Sequence, residues 1–590
     1  MRLILLVASV GLLVVAGCLA MIYGPASYPD LARLSQVSYF EYLPDGPVYM
    51  RLALTPARFA GYRAGLAALL VLGAVATALQ LRNPKTLRQA QRLGKEFRRG
   101  LKAMGRTVRE LSGGQQATAA ALLLFLFTAQ VLWLITDPLS PDEMVSYDSF
   151  VRQGPVAITS FYPIPNNHVF YNILSWMLSL LMPGQVTAAV RLPSLLAATL
   201  GCAASYVLLT RLRGFWTATA VTALFGFTRA ALLYAASGRG YYLQLGCIQL
   251  AFFAVVELAT GGRNRRLAWT ALLASSVVGL YTVPTFALPL SAFVLVLLAA
   301  LPGFAPRYRK PYLAQMGLVL LAMAVLSVVL YAPVGCVSGW PRLLGNRYLM
   351  PPSSQSFWGK ALAYIYETVG VLLGPVRPAL LAAALVAALT PLLWWTHDGN
   401  NRSRWLGWAS LALLITPLAL VLIRHTFVPA RVLLYTTFFL YLLAVLIAGK
   451  IASRWPGKLS GRVLAGLLMA LLSFRLLELR NHVPIVMRSR SRADTVARAY
   501  QWFRQQPPGG VFVGASYHGL LFNHYANLDR RRLQMSSAFS TGATYHYLIW
   551  AKGQATDRPA WAINQPYQVA YEDDMATIYT LHAPTLGKLK

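Results

Sequence analysis

Apolar runs of about 17–25 residues recur along most of the chain, each long enough to cross a bilayer as a helix. Short polar stretches separate them. The ten-residue alternation of a membrane barrel is absent, so the runs read as helices. Runs at 2–23, 62–80, 116–135, 188–210, 215–235, 241–258, 267–284, 286–303, 313–333, 377–396, 406–423, 432–449 and 463–478 give 13 expected spans. Two more apolar runs, 169–183 and 358–375, are expected to lie along the outer interface. The first must not cross if Arg211–Arg213 is to be cytoplasmic, and the second carries Lys360 and Glu367. With this assignment every strongly basic loop falls on one side, which the positive-inside rule makes the cytoplasm.

Two polar segments stand out from the spans. Arg82–Glu110 holds ten Lys/Arg and two Glu. Arg88, Arg92, Lys95, Arg99, Lys102 and Arg106 recur at three- and four-residue steps, while Leu93, Phe97, Leu101 and Met104 lie on another face. That pattern predicts an amphipathic helix on an anionic cytoplasmic leaflet. The tail from Leu479 is polar enough to be soluble. Helical 493–505, the turn Pro507-Pro508-Gly509-Gly510 and the apolar Val511-Phe512-Val513 predict a small α/β domain there. The expected organisation is two N-terminal spans and a basic helix in 1–115, a membrane core in 116–478 with its first outer loop at 136–187, and an outer domain in 479–590.

Composition agrees with this picture. The chain is 57% hydrophobic and 12% charged, which excludes an ordinary soluble protein. The net charge of +34 sits mainly in the short loops, so it reads as topology and anionic-lipid charge, not as nucleic-acid binding. Four cysteines show no zinc or disulfide spacing. Val15-Ala16-Gly17-Cys18 has the form of a lipoprotein cleavage box, but the apolar run continues to Tyr23, so an uncleaved helix is expected. His518, His524 and His546 in the tail have no metal-ligand spacing.

The candidate chemistry lies in Asp137–Tyr171, which holds Asp137, Asp142, Glu143 and Asp148, four of 19 acidic residues. No carboxylate is placed at mid-membrane, where coupled transporters keep theirs. An acidic cluster at the outer boundary points instead to a reaction at the membrane surface.

Four stretches carry a resemblance. Ser140-Pro141-Asp142-Glu143 opens the first outer loop of an 11-span core. Pro165-Asn166-Asn167-His168 leads into the interfacial helix, Arg191-Leu192-Pro193-Ser194 opens the next span, and Ser237-Gly238-Arg239-Gly240-Tyr241-Tyr242 follows at the next outer turn. Over residues 116–450 the chain resembles the GT-C glycosyltransferases, in particular the branch with protein O-mannosyltransferases and the lipid A aminoarabinose transferase. The resemblance implies a polyprenyl-phosphate sugar donor, inversion at the anomeric carbon, and a glycan, lipid or protein acceptor. It implies Asp142 as the base, with Glu143 assisting or orienting the loop.

A departing phosphate needs donors, and Arg239, Arg431 and His168 are the candidates. Asn166, Asn167, Tyr162 and Tyr241 are candidate substrate contacts; capping for the asparagines and an aromatic belt for the tyrosines are the plainer readings. Relatives of the aminoarabinose transferase carry an acidic metal-binding residue near the second outer turn. This chain has Arg239–Gln244 there, so a divalent metal is not favoured as a cofactor, with Glu367 on the outer helix left as the residue that would recruit one. The alternatives are a ligase or polymerase acting on a lipid-pyrophosphate glycan, and a non-catalytic flippase or transporter. The expected location is a bacterial cytoplasmic membrane, with site and tail on the periplasmic side.

Overall fold

The structure is a computed structural model that describes residues 1–36, 38–39, 48–49, 52–345, 354–374, 401–452, 458–554 and 558–581, with a few positions between 377 and 389. It is a polytopic helical protein with a small C-terminal sheet. Nine described helices are long and apolar enough to cross a membrane, and the bent pair Phe215–Gly226 and Arg229–Ala236 makes a tenth when counted as one span. Most of the expected span 377–396 lies outside the described residues, as does part of the loop 334–357.

Two expectations about helices need correction. The expected span 215–235 is broken at Phe227-Thr228 by a bend of 73°. Thr228 causes the break: its hydroxyl donates to the Phe225 carbonyl and accepts from the Ala231 amide, capping a new helix. The span 463–478 does not end before the tail. One helix runs Lys458–Phe503, with Pro484 inside it, because an interior proline bends a helix that the surrounding packing holds together. The Val169–Leu181 helix has 13 residues, about 20 Å at 1.5 Å each, too short for a bilayer core of ~30 Å. Its Met177, Leu180 and Leu181 are exposed, as on a helix that lies at an interface.

The basic helix Pro84–Arg109 is pinned to the protein. Glu96 is buried, accepts from Arg266 at 2.8 Å, and satisfies the first turn of the Arg265–Thr282 helix by accepting from the Leu267 amide at 3.0 Å. Phe97 and Leu101 stay exposed. The first helix, Arg2–Tyr23, runs unbroken through Cys18. It packs on Pro56–Arg82, where any side chain at Gly73 would strike the Leu13 backbone, and its Tyr23 hydroxyl reaches Thr159 and Ser160 of the acidic loop.

Beyond a two-residue pair, β1 (Ser38–Tyr39) with β2 (Val48–Tyr49), the strands belong to the tail. β3 (Val511–Val513), β4 (Met535–Ser536), β5 (Tyr547–Ala551), β6 (Tyr567–Glu572) and β7 (Ala576–Leu581) form one sheet in the order β4-β3-β5-β7-β6. β3 is parallel to β4 and β5, and β7 is antiparallel to β5 and β6. The domain shares an apolar core with the acidic loop, including Val145 and Phe150 from the loop and Phe503 and Phe522 from the tail. Polar contacts lock the join: His524 Nδ1 lies 3.1 Å from Asp148 Oδ2, and Arg152 donates to Asn527.

Candidate active site

Ser140-Pro141-Asp142-Glu143 is the start of a short helix, Pro141–Ser146, and each residue fits its position. Ser140 is the N-cap, Pro141 occupies the first turn, and Glu143 closes a capping box. The Glu143 amide donates to Ser140 Oγ, and Glu143 Oε2 accepts from the Ser140 amide at 2.7 Å. Asp142 is left in the first turn with its carboxylate outward. A π-helical turn, Tyr147–Val151, follows, a local widening of the kind often found at functional sites.

Glu143 and Arg191 are the anchor of the site, and both side chains are 1% exposed. Arg191 Nε and Nη2 donate to the two Glu143 oxygens at 2.8 and 2.9 Å. Its remaining donors bind the carbonyls of Leu134, Asp137 and Pro138, each at 2.8 Å. The guanidinium therefore ties the end of the Gly113–Thr136 helix to the acidic loop. Glu143 Oε1 also accepts from the Gly238 amide. A side chain at 238 would meet Val190 and Glu143, so glycine permits that approach. Burial on its own would raise the Glu143 carboxyl, but the Arg191 charge and four hydrogen bonds outweigh it and hold it below its ordinary value. Of the two expectations for Glu143, assisting the base or orienting the loop, its four filled contacts match the second.

Asp142 is different. Its side chain is 43% exposed and faces two arginines: Oδ2 is 3.5 Å from Arg431 Nη2 and 3.9 Å from Arg239 Nη2. Arg239 Nη1 donates to the Asp142 carbonyl, to Ser146 Oγ and to the Asn166 carbonyl at 3.3, 2.9 and 3.3 Å. Arg239 is itself held from behind, where Ser194 Oγ donates to its carbonyl at 2.7 Å. Asn166 donates to the same Asp142 carbonyl at 3.1 Å.

His168 is buried against Arg239. Its Nδ1 accepts from the Gly240 amide at 2.9 Å. Burial, then the charges of Arg239 and Arg431, lower its pKa well below the ordinary histidine value, so the ring is neutral and carries its proton on Nε2. That Nε2–H stands 3.3 Å from Arg239 Nη2, which is also a donor. Arg239 Nε and Arg431 Nε are buried with no hydrogen-bond partner among the described residues. The side chains beside Asp142 thus hold donors with no acceptor among the described residues, and a buried unfilled donor costs about 1–3 kcal/mol. Tyr241 closes one side, edge-on to His168 at 4.9 Å and under the Arg239 guanidinium at 5.8 Å.

The four stretches singled out in the sequence meet here: Asp142 and Glu143, Asn166 and His168, Arg191 and Ser194, Gly238 and Arg239 contact one another. Arg431 joins from a distant turn. Asn167 does not join. It is fully buried, donates to the carbonyls of Ile158 and Phe161, and accepts from Asn172, so it staples the loop internally. It does not cap the following helix either, whose N-cap is His168 with no side-chain cap bond. Tyr162 is buried, and its amide donates to Ser338 Oγ. Ser338, in the turn after Pro306–Val334, ties that helix end to Ser160 and Tyr162, as Arg191 ties the Gly113–Thr136 helix; neither role has a local signal in the sequence. Among the described residues, no three His, Cys, Asp or Glu side chains come together as a metal site.

No protein-family model matches the chain, and no curated protein matches it. Among solved structures, the chain is similar to ArnT from Cupriavidus metallidurans bound to undecaprenyl phosphate, at 14% identity and a TM-score of 0.42, over 80% of this chain and 99% of that one. The same ArnT in the apo state is similar at 14% identity and a TM-score of 0.40, over 78% and 98%. The oligosaccharyltransferase of Archaeoglobus fulgidus in complex with zinc and sulfate is similar at 11% identity and a TM-score of 0.35, over 73% and 68%.

Proposed function

We propose that the protein is an inverting membrane glycosyltransferase of the GT-C type that takes a sugar from a polyprenyl phosphate. The observation that carries this reading is one open carboxylate, Asp142, set against two arginines and a neutral histidine whose remaining donors are unfilled. In this reading Asp142 accepts the proton of the acceptor hydroxyl as its oxygen bonds to the anomeric carbon. The bond from that carbon to the phosphate oxygen breaks on the opposite face, and the electron pair leaves with the phosphate. Arg239, Arg431 and the Nε2–H of His168 stabilise the charge that develops there. Donor binding draws the arginines onto the phosphate and frees Asp142 from their pairing. A single base with no second, open carboxylate fits inversion rather than a covalent glycosyl intermediate.

Asn166 holds the Asp142 loop, and Tyr241 and Tyr162 border the sugar. The acceptor is a glycan, a glycolipid or a protein, at the outer membrane face. The chemistry as drawn needs no divalent metal, and transfer is expected to persist in excess chelator; loss on chelation with rescue by one metal overturns that part.

The test is transfer from a panel of radiolabelled polyprenyl-phosphate sugars in membranes, for wild type and Asp142→Asn. Loss of a general base costs about 10²–10⁴-fold. Transfer by wild type, with Asp142→Asn folded and at least 100-fold slower, is expected. Equal rates for both would remove Asp142 from the mechanism.

A further inference from the structure

We propose that a cleft at the far end of the helices from Asp142 binds an anionic glycerophospholipid. The Tyr241–Ala259 helix begins beside His168 and Arg239 and ends at this cleft. Its 19 residues span about 28 Å at 1.5 Å each, close to the ~30 Å of a bilayer core. The cleft therefore opens at the other membrane–water boundary, away from the transfer site.

The cleft measures about 840 Å³ and lies where the ends of Tyr241–Ala259, Ala287–Ala299 and Asn401–Arg424 meet. Its two ends differ in chemistry. One wall is apolar, made by Leu295, Val296, Ala299 and Ala412, with Leu295 and Ala299 exposed. The mouth holds two guanidiniums, Arg265 and Arg404, with the indoles of Trp405 and Trp408 beside them. Among the described residues no carboxylate lines it. The nearby Glu257 is engaged with the Asn264 amide and Arg402 rather than with Arg265.

Arg265 is positioned rather than loose. Its Nη2 donates to the Gly261 carbonyl at 3.2 Å, and its guanidinium lies 5.8 Å over the Phe304 ring. Among the described residues this one bond leaves most of its donors for a phosphate diester, which a guanidinium fork binds through two oxygens. Tryptophans beside basic groups mark a headgroup level, and basic pockets between membrane helices select anionic lipids. The volume falls within the ~300–1,000 Å³ of small-ligand sites, enough for a headgroup and the first part of an acyl chain. The exposed Leu295 and Leu298 continue the apolar wall toward the bilayer.

The test uses the delipidated full chain in detergent, with lipid retention read by native mass spectrometry. The probes are phosphatidylglycerol, phosphatidylcholine, and the glycerophosphoglycerol headgroup without acyl chains. Arg265→Gln removes charge at the mouth, and Ala299→Trp fills the cleft without changing charge. Arg99→Gln, on the basic amphipathic helix, is the control for general surface charge. Wild type is expected to hold one phosphatidylglycerol in preference to phosphatidylcholine, with binding about tenfold weaker in both cleft variants and unchanged in Arg99→Gln. The headgroup alone is expected not to compete. Wild-type retention in Ala299→Trp or Arg265→Gln, where each variant elutes and melts as wild type without lipid, overturns the proposal. So does an equal loss in Arg99→Gln, which would assign retention to surface charge. Competition by the headgroup alone would assign the site to a soluble phosphate and overturn the lipid.

Discussion

Glu143→Gln changes one atom at the anchor and leaves its shape intact, so its effect is almost purely one of charge and hydrogen bonding. Glu143 accepts four bonds, from Arg191 Nε and Nη2, from the Ser140 amide and from the Gly238 amide. A glutamine offers one carbonyl oxygen with two lone pairs, and its NH₂ group faces donors. Two donors lose their acceptor, and Arg191 is left as a buried charge with only the more distant Asp137 to offset it. Both side chains are 1% exposed, so solvent does little to screen the loss. Breaking a buried pair in this way costs about 3–5 kcal/mol, a large share of the ~5–15 kcal/mol that stabilises a typical protein. At 1.4 kcal/mol per tenfold, local opening of the loop rises by roughly 10²–10⁴. Hydrogen–deuterium exchange read by mass spectrometry over 136–146 and 236–242 measures this directly. Exchange in both segments is expected to accelerate together by about two orders of magnitude or more, with transfer slowed because Asp142 is no longer held in place. Unchanged exchange in Glu143→Gln would refute the anchoring role. The contribution also has a pH window. The folded carboxyl titrates below its unfolded value, so the unfolded chain takes up a proton first as pH falls. The stabilisation is fully present above about pH 4.3 and is lost as pH drops through the lower folded value.

The other predictions concern the donors around Asp142. Arg431→Gln is expected to raise the apparent KM for the lipid-phosphate donor by about 10–100-fold, the worth of one charge-assisted contact, with thermal stability unchanged because Arg431 is 42% exposed. Arg239→Gln is expected to lower stability as well as donor affinity, since Arg239 also holds Ser146 and the Asp142 and Asn166 carbonyls; equal melting of the two variants would contradict this. His168 is buried neutral with a lowered pKa, so below about pH 6.5 the unfolded chain binds the proton that the folded protein refuses. Wild type is therefore expected to lose up to ~1.4 kcal/mol per pH unit from this group below pH 6.5. His168→Gln should lack that component in melting curves between pH 7.5 and 5.5, and identical pH dependences would count against it.

The features legible in the sequence are those whose cause is local. The capping box of Ser140 and Glu143 spans three residues, so the helix start is legible there. The amphipathic basic helix showed its faces by periodicity, but its docking did not, because Glu96 finds Arg266 170 positions away. The bend at Thr228 lies in an apolar run whose hydropathy does not change there. A hydroxyl binding its own backbone decides it, and hydropathy is blind to that. Asn167 illustrates the opposite failure. An asparagine beside a histidine in an outer loop has the look of a sugar contact, yet its amide is spent on the carbonyls of Ile158 and Phe161.

By itself the sequence determined that the chain is a multi-pass helical membrane protein with a small sheet-bearing tail, and where its acidic loop lies. Apolar length and short-range periodicity act within a single segment, so no partner is needed to read them. Tertiary structure alone decided the division of labour between the two neighbouring carboxylates. Asp142 and Glu143 are adjacent in one helical turn, which sends their side chains in different directions. Arg191, 48 positions away, fills one and leaves the other facing the open site. Charge pairing over such distances follows from which helices pack together, and that choice is made by the fold as a whole.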